Sequence, residues 1–133
     1  MNLIFSRRLA ITIGITLPLA ETLRLWGGGS VALGMDHYIM GVILLYGVWR
    51  SRGYDILGQR YLIAAWAFTC GVGYMNLIRH LERVHSTSPA PSQDVWIVGM
   101  TGFGWLICIL GLAASFKTQL YGTADKNRSV AQR

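Results

Sequence analysis

The stretch VWIVGMTGFGWLICILGLAASF, from Val95 to Phe116, runs for 22 residues without a charged side chain. A bilayer core roughly 30 Å thick is crossed by about 20 apolar residues in a helix, so this segment has the length and chemistry of a membrane span. Within it Thr101, Gly104, Cys108, Gly111 and Ser115 recur at alternating spacings of three and four, which places them on one stripe. Small residues on one stripe let neighbouring helices approach closely in lipid, where hydrophobicity alone does not drive helices together.

Three more apolar runs lie upstream: Leu9–Trp26, Ala32–Trp49 and Tyr61–Ile78. The third is uncharged, the first contains Glu21 and Arg24, and the second contains Asp36 beside His37. Each also carries inward candidates at helical spacing: Ala10, Gly14, Glu21 and Arg24; Gly34, His37 and Gly41; Ala65, Thr69, Gly73, Asn76, His80 and Arg83. The connections are short: Gly27-Gly28-Gly29-Ser30, then Arg50 to Arg60 with two glycines, then Ser86 to Ser92 with two prolines. None of the runs has the continuous polar face of a helix lying on a membrane surface. The fold expected is all-α: an integral membrane, four-helix antiparallel transmembrane bundle over residues 1–116.

Composition agrees. Apolar residues make up 53% of the 133 and charged residues 14%, against roughly 25% charged in soluble domains. That balance argues against a soluble enzyme, a disordered chain or a disulfide scaffold. The net charge of +6 raises nucleic acid as a partner, but the basic residues border the apolar runs and form no stripe with interleaved aromatics. Nucleic acid is therefore excluded as a partner and the lipid bilayer expected.

Nine of the twelve Lys and Arg residues fall in the N-terminal flank, the second connection and the C-terminal segment; only Arg24, Arg79 and Arg83 lie toward the other side. By the positive-inside rule both termini are cytoplasmic, and a multi-pass position in a bacterial inner membrane is expected. Residues 117–133 read as a polar, basic, frayed cytoplasmic tail at the lipid surface. Ser6-Arg7-Arg8 before an apolar stretch has the look of an export signal, but Pro18 stands where a cleavage site needs a small residue.

The inward stripes stop being apolar at one height. Counted from the cytoplasmic ends at about 1.5 Å per residue, Glu21 and His37 lie roughly 18 Å up, and Asn76 and Thr101 about 23 Å up. Arg24 and Asp36 fall within about a turn of these. Charges at membrane depth tend to face the bundle and to pair, so Glu21, Arg24, Asp36, His37, Asn76 and His80 are the candidate ligand-binding or proton-coupling residues. The structural alternative is that Glu21 and Arg24 clamp the first helix and Asp36 caps a second helix that begins late. No comparable cluster is expected in the cytoplasmic half.

Particular chemistries fare less well. Two helical histidines suggest haem, but His80 lies about 10 Å above His37 on the same rise. No tight metal-ligand motif is present, and Arg24 would repel a cation. Cys70 and Cys108 sit in apolar runs with no base nearby in sequence, so no catalytic residue is assigned and they read as packing residues. An acidic residue, Glu21, in the first of four short spans resembles the small multidrug transporters; the resemblance is one of architecture, and the surrounding pattern of that family is absent.

The function expected first is a binding or transport component with a polar site near the outer face, acting as a homo-oligomer. The alternative is an accessory or assembly subunit of a larger membrane complex, with Trp66, Phe68, Tyr74, Trp96, Phe103 and Trp105 as its working exterior. A membrane-bound redox or haem-binding subunit is the third reading. The sequence assigns no cofactor and no ligand.

Overall fold

The computed structural model describes residues 3–26, 34–53, 56–86 and 92–131, the last segment with side chains over 95–117. These residues form four helices and no strand: α1 (Leu3–Trp26), α2 (Met35–Arg50), α3 (Ile56–Ser86) and α4 (Ser92–Ala131), with a 3-10 turn at Ser51–Gly53 after α2. The expected Gly27–Ser30 turn, a second span beginning at Ala32 and the proline-rich connection after Ser86 fall on residues outside those described.

Three helices are long and apolar enough to cross a membrane: Leu3–Trp26, Ile56–Ser86 and Val95–Lys117. Together they support a multi-pass membrane protein built as a helical bundle. Only about a fifth of each of these windows is buried inside the protein (22%, 22% and 17%), which is how a helix looks when lipid is its solvent. α2 has 16 residues and begins at Met35, later than the sequence pattern suggests.

Close backbone approach fixes the helix pairs. Between α1 and α2, a methyl group on Gly41 would lie 2.5 Å from Pro18 Cγ and 2.7 Å from the Gly14 carbonyl, so only glycine admits this crossing. Gly47 of α2 lies against Leu62 and Ala65 of α3. Gly111 of α4 is covered by the Trp66 indole of α3. The core between them is small and dense, with Ala10, Leu44, Val48, Leu62, Ala65, Trp66 and Cys108 buried.

The helices run beyond the expected spans. α1 starts at Leu3, α3 continues past Ile78 to Ser86, and α4 carries on to Ala131. The segment read from sequence as a frayed tail is thus helical over residues 117–131. Its polar composition argues against burial rather than against helix, because Lys, Gln, Ala and Arg are good helix formers once a helix is already nucleated.

Candidate functional site

One end of the bundle gathers the charged residues of the first two helices. Glu21 is 5% exposed. Arg24, three residues along the same face, donates from Nε to Glu21 Oε1 at 2.8 Å, and its Nη2 meets the same oxygen. This i, i+3 pairing is the one that helical spacing anticipates. Gly34 is what lets the carboxylate lie there, since a methyl group at that position would occupy the space of the Glu21 side chain.

From α2 the His37 imidazole reaches the same point. Its Nδ1 is 3.6 Å from Glu21 Oε2 and 3.1 Å from Asp36 Oδ1, fully shielded, and aligned with neither as a hydrogen bond. Asp36 occupies the first turn of α2, where a carboxylate is favoured by the exposed N–H groups. Its Oδ1 accepts from the His37 backbone N–H at 3.0 Å, and its Oδ2 accepts from Asn76 Nδ2 of α3 at 2.6 Å. Asp36 therefore lies inside the first turn of α2, whose cap residue is Gly34 and not Asp36, and also ties α2 to α3.

Of the six candidates, five form one connected set across three helices: Arg24, Glu21, His37, Asp36 and Asn76. His80 is half-buried one turn beyond Asn76 on α3. It is not among the described residues that line the adjoining cleft.

That cleft has a volume of about 220 Å³ and draws on all four helices. Ile13 and Leu17 come from α1, His37 and Met40 from α2, and Thr69, Gly73 and Asn76 from α3. α4 adds Met100, Thr101, Gly104, Trp105 and Cys108. His37 and Asn76 thus join the charged set to the cleft, and most of the remaining wall is apolar. Trp105 is fixed by donating Nε1–H to the Cys70 carbonyl at 3.1 Å, and Thr69 by donating to the Ala65 carbonyl at 2.8 Å. A larger open recess of about 390 Å³ is lined by Val95, Trp96, Gly99, Met100 and Phe103. All five belong to one helix, and apart from the Trp96 indole N–H the described lining is apolar.

Two expectations need correction. Trp66, read as part of an aromatic exterior, is 0% exposed, and Trp105 is partly buried against the cleft. The i, i+4 periodicity from Ala65 to Thr69 brings Trp66 inward as well, because a glycine at 111 opens the opposite helix to receive it. Phe68, Tyr74, Trp96 and Phe103 are exposed as expected.

The opposite end also holds a polar network, which the sequence reading does not anticipate. Trp66 Nε1 donates to Ser6 Oγ at 3.0 Å, Ser6 and Ser115 share a hydrogen bond at 2.6 Å, and Ser115 donates to the Gly111 carbonyl at 3.0 Å. Arg7 donates to Ser51 Oγ at 3.0 Å and also to its carbonyl. Hydroxyls and an indole carry no charge signal, and their partners are 60 and 109 residues apart. The buried Ser115 in the small-residue stripe was the one available clue.

Among the described residues, no group of three His, Cys, Asp or Glu side chains is disposed to hold a metal ion. Comparison with known proteins gives no match: no family model, no curated protein and no solved structure is similar to the chain.

Proposed function

We propose that the chain is a four-span antiparallel membrane bundle whose four-helix cleft binds a small molecule at the outer side of a bacterial inner membrane. The observation that carries this reading is the His37 imidazole, which lines a cleft shared by all four helices while its Nδ1 faces two carboxylates. Ligand sites are concave, mostly apolar, and furnished with a few convergent polar groups, and this cleft has that composition.

Contacts along the helix pairs support the antiparallel arrangement. Arg7 meets Ser51, Pro18 meets Gly41, and Glu21 meets His37; rising numbers in α1 match falling numbers in α2. On α3 and α4, Trp66 meets Gly111, Gly73 meets Trp105, and Gly102 meets Leu77. Cytoplasmic termini are supported by the basic bias, and the aromatic cluster beside it marks a membrane interface without saying which. Tyr46, Trp49 and Tyr61 associate near Arg50, whose guanidinium lies 5.8 Å from the Tyr61 ring centre, as expected of an interfacial belt.

The test is purification of the full chain in mild detergent, followed by native mass spectrometry. The expected result is a homo-oligomer or monomer retaining a small molecule, with Glu21→Gln or Asn76→Leu losing that molecule while the helical content is kept. Co-purification of larger subunits with an empty cleft would favour the accessory-subunit reading instead.

A further inference from the structure

The seam between α1 and α4 is closed at one end. Away from the charged set, Ser6 donates to the Gly111 carbonyl at 3.2 Å and shares a hydrogen bond with Ser115, and Ala10, Cys108 and Ala114 are buried around them. Toward the charged end the burial stops. Ile13 and Leu17 of α1 are half-buried, and among the described side chains of α4 none from Val95 to Ile107 is buried. Of the neighbouring helix pairs this one is the most loosely joined. The two helices thus diverge from a pinned end, and the cleft occupies the wedge between them, with Ile13 and Leu17 on one side and Met100, Thr101 and Gly104 on the other.

Met100 connects that wedge to the lipid-facing surface. Its residue is 69% exposed, yet it lines both the cleft and the apolar recess on the outside of α4. An unbranched thioether there is free to swing aside. The cleft is also elongated along the helices: its lining runs from Thr69 to Asn76 on α3 and back from Cys108 to Thr101 on α4, about 10 Å at the usual rise. Lipid chains lie in that same direction. Toward the Cys108 end the wall offers water little, because the Thr69 hydroxyl and the Trp105 N–H are engaged with the Ala65 and Cys70 carbonyls and a buried water needs about two to four polar partners. A methyl group on Gly104 would meet no atom within 4 Å. Space of that kind, left empty, forfeits dispersion contacts that fluid hydrocarbon at its side can supply.

Taking the cleft as the binding site proposed above, we propose that it opens to the bilayer between α1 and α4 and that its occupant is a hydrocarbon chain of a membrane lipid. The chain enters past Met100 from the leaflet on the side of the charged set. It lies along Leu17 and Gly104 and points its methyl end toward Cys108, while the lipid's head stays at the charged end.

The experiment reconstitutes the full chain into phosphatidylcholine vesicles that include a phosphatidylcholine with a diazirine midway along one chain. After irradiation and proteolysis, mass spectrometry maps the adducts. Phe103 and Leu106, exposed on α4, meet the bilayer in any case and calibrate the yield. The expected result is adducts on Leu17 and Thr101 in yield comparable to those on Phe103 and Leu106. Gly104→Leu, which fills the wedge from α4, should remove the inner adducts and leave the outer ones, with circular dichroism checking the fold. Leu17→Trp closes the wedge from α1 and gives the same reading should the first variant fail to fold. Inner adducts that persist in both variants would mean that the label reaches those residues from the outer surface, and would overturn the inference. Adducts confined to the outer residues, with a small molecule still retained in detergent and lost in Glu21→Gln, would overturn entry from the bilayer and leave the cleft as a binding site. Adducts confined to the outer residues with nothing retained would overturn both.

Discussion

The Glu21 carboxylate is the residue through which the first two helices meet at the charged end, and it separates two kinds of contribution. Its charge attracts Arg24, whose side chain is 44% exposed and therefore screened. Its oxygen atoms accept hydrogen bonds whether or not the group is charged. Glu21→Gln keeps one acceptor and is expected to cost about 1 kcal/mol, whereas Glu21→Ala also empties a buried position and is expected to cost about 2–3 kcal/mol. Unfolding by titration with sodium dodecyl sulfate would measure both, and equal losses would show that the acceptor kept by Gln does nothing for folding and that the loss is the charge's. These residues were legible from sequence because ionisable groups are rare in apolar runs and helical spacing says which of them share a face. The link from Asp36 to Asn76 was legible only as a shared height, since nothing local says which amide a carboxylate will find. The Ser6, Trp66 and Ser115 network was not legible: each group is unremarkable alone, and its meaning comes from partners on other helices.

Among elements, glycine decides how near one helix comes to another, and not every glycine does so. Gly41 meets a proline ring and a carbonyl oxygen, neither of which can swing aside. Gly41→Ala must part α1 from α2, with an expected loss of about 1–3 kcal/mol. Gly104→Ala, with open space before it, should lie within about 0.5 kcal/mol of the parent. The same detergent titration compares them, and similar losses would contradict the crossing described. Gly111 is a third case, because the obstacle is the Trp66 side chain. Gly111→Ala should destabilise, and adding Trp66→Phe should recover part of the loss, a coupling that a double-mutant cycle reads directly. The stripe of small residues on α4 marked the buried face correctly from spacing alone. Spacing could not show that its two ends do different things: Thr101 and Gly104 line the cleft, while Gly111 and Ser115 hold a tryptophan.

At the level of the whole molecule, the two polar ends stand on opposite sides of an apolar middle, so orientation in the membrane becomes measurable. His85 and Arg52 are both exposed and lie toward opposite ends. With Cys70 and Cys108 replaced by alanine, His85→Cys is expected to react with a membrane-impermeant maleimide in intact cells. Arg52→Cys should react only after the membrane is opened. The reverse pattern would invert the orientation, and labelling of both from outside would mean that α3, which lies between them, does not cross. Sequence made three membrane-crossing helices readable through run length, which the bilayer imposes directly. The register of each helix against its neighbours was beyond reach, because it depends on shape complementarity.

The shortness of α2 bears on the lipid itself. Between Asp36 in its first turn and Arg50 in its last there are fourteen steps, or about 21 Å along the axis at the usual rise. That falls well short of a hydrocarbon layer of roughly 30 Å, so if α2 crosses as proposed, acyl chains beside it would have to compress, or the arginine to stretch toward the headgroups. Thermal stability in vesicles should therefore rise as the lipid tails are shortened from eighteen carbons to fourteen. The depression would bring aqueous solution closest to the bundle on the side where α2 begins, beside the carboxylates.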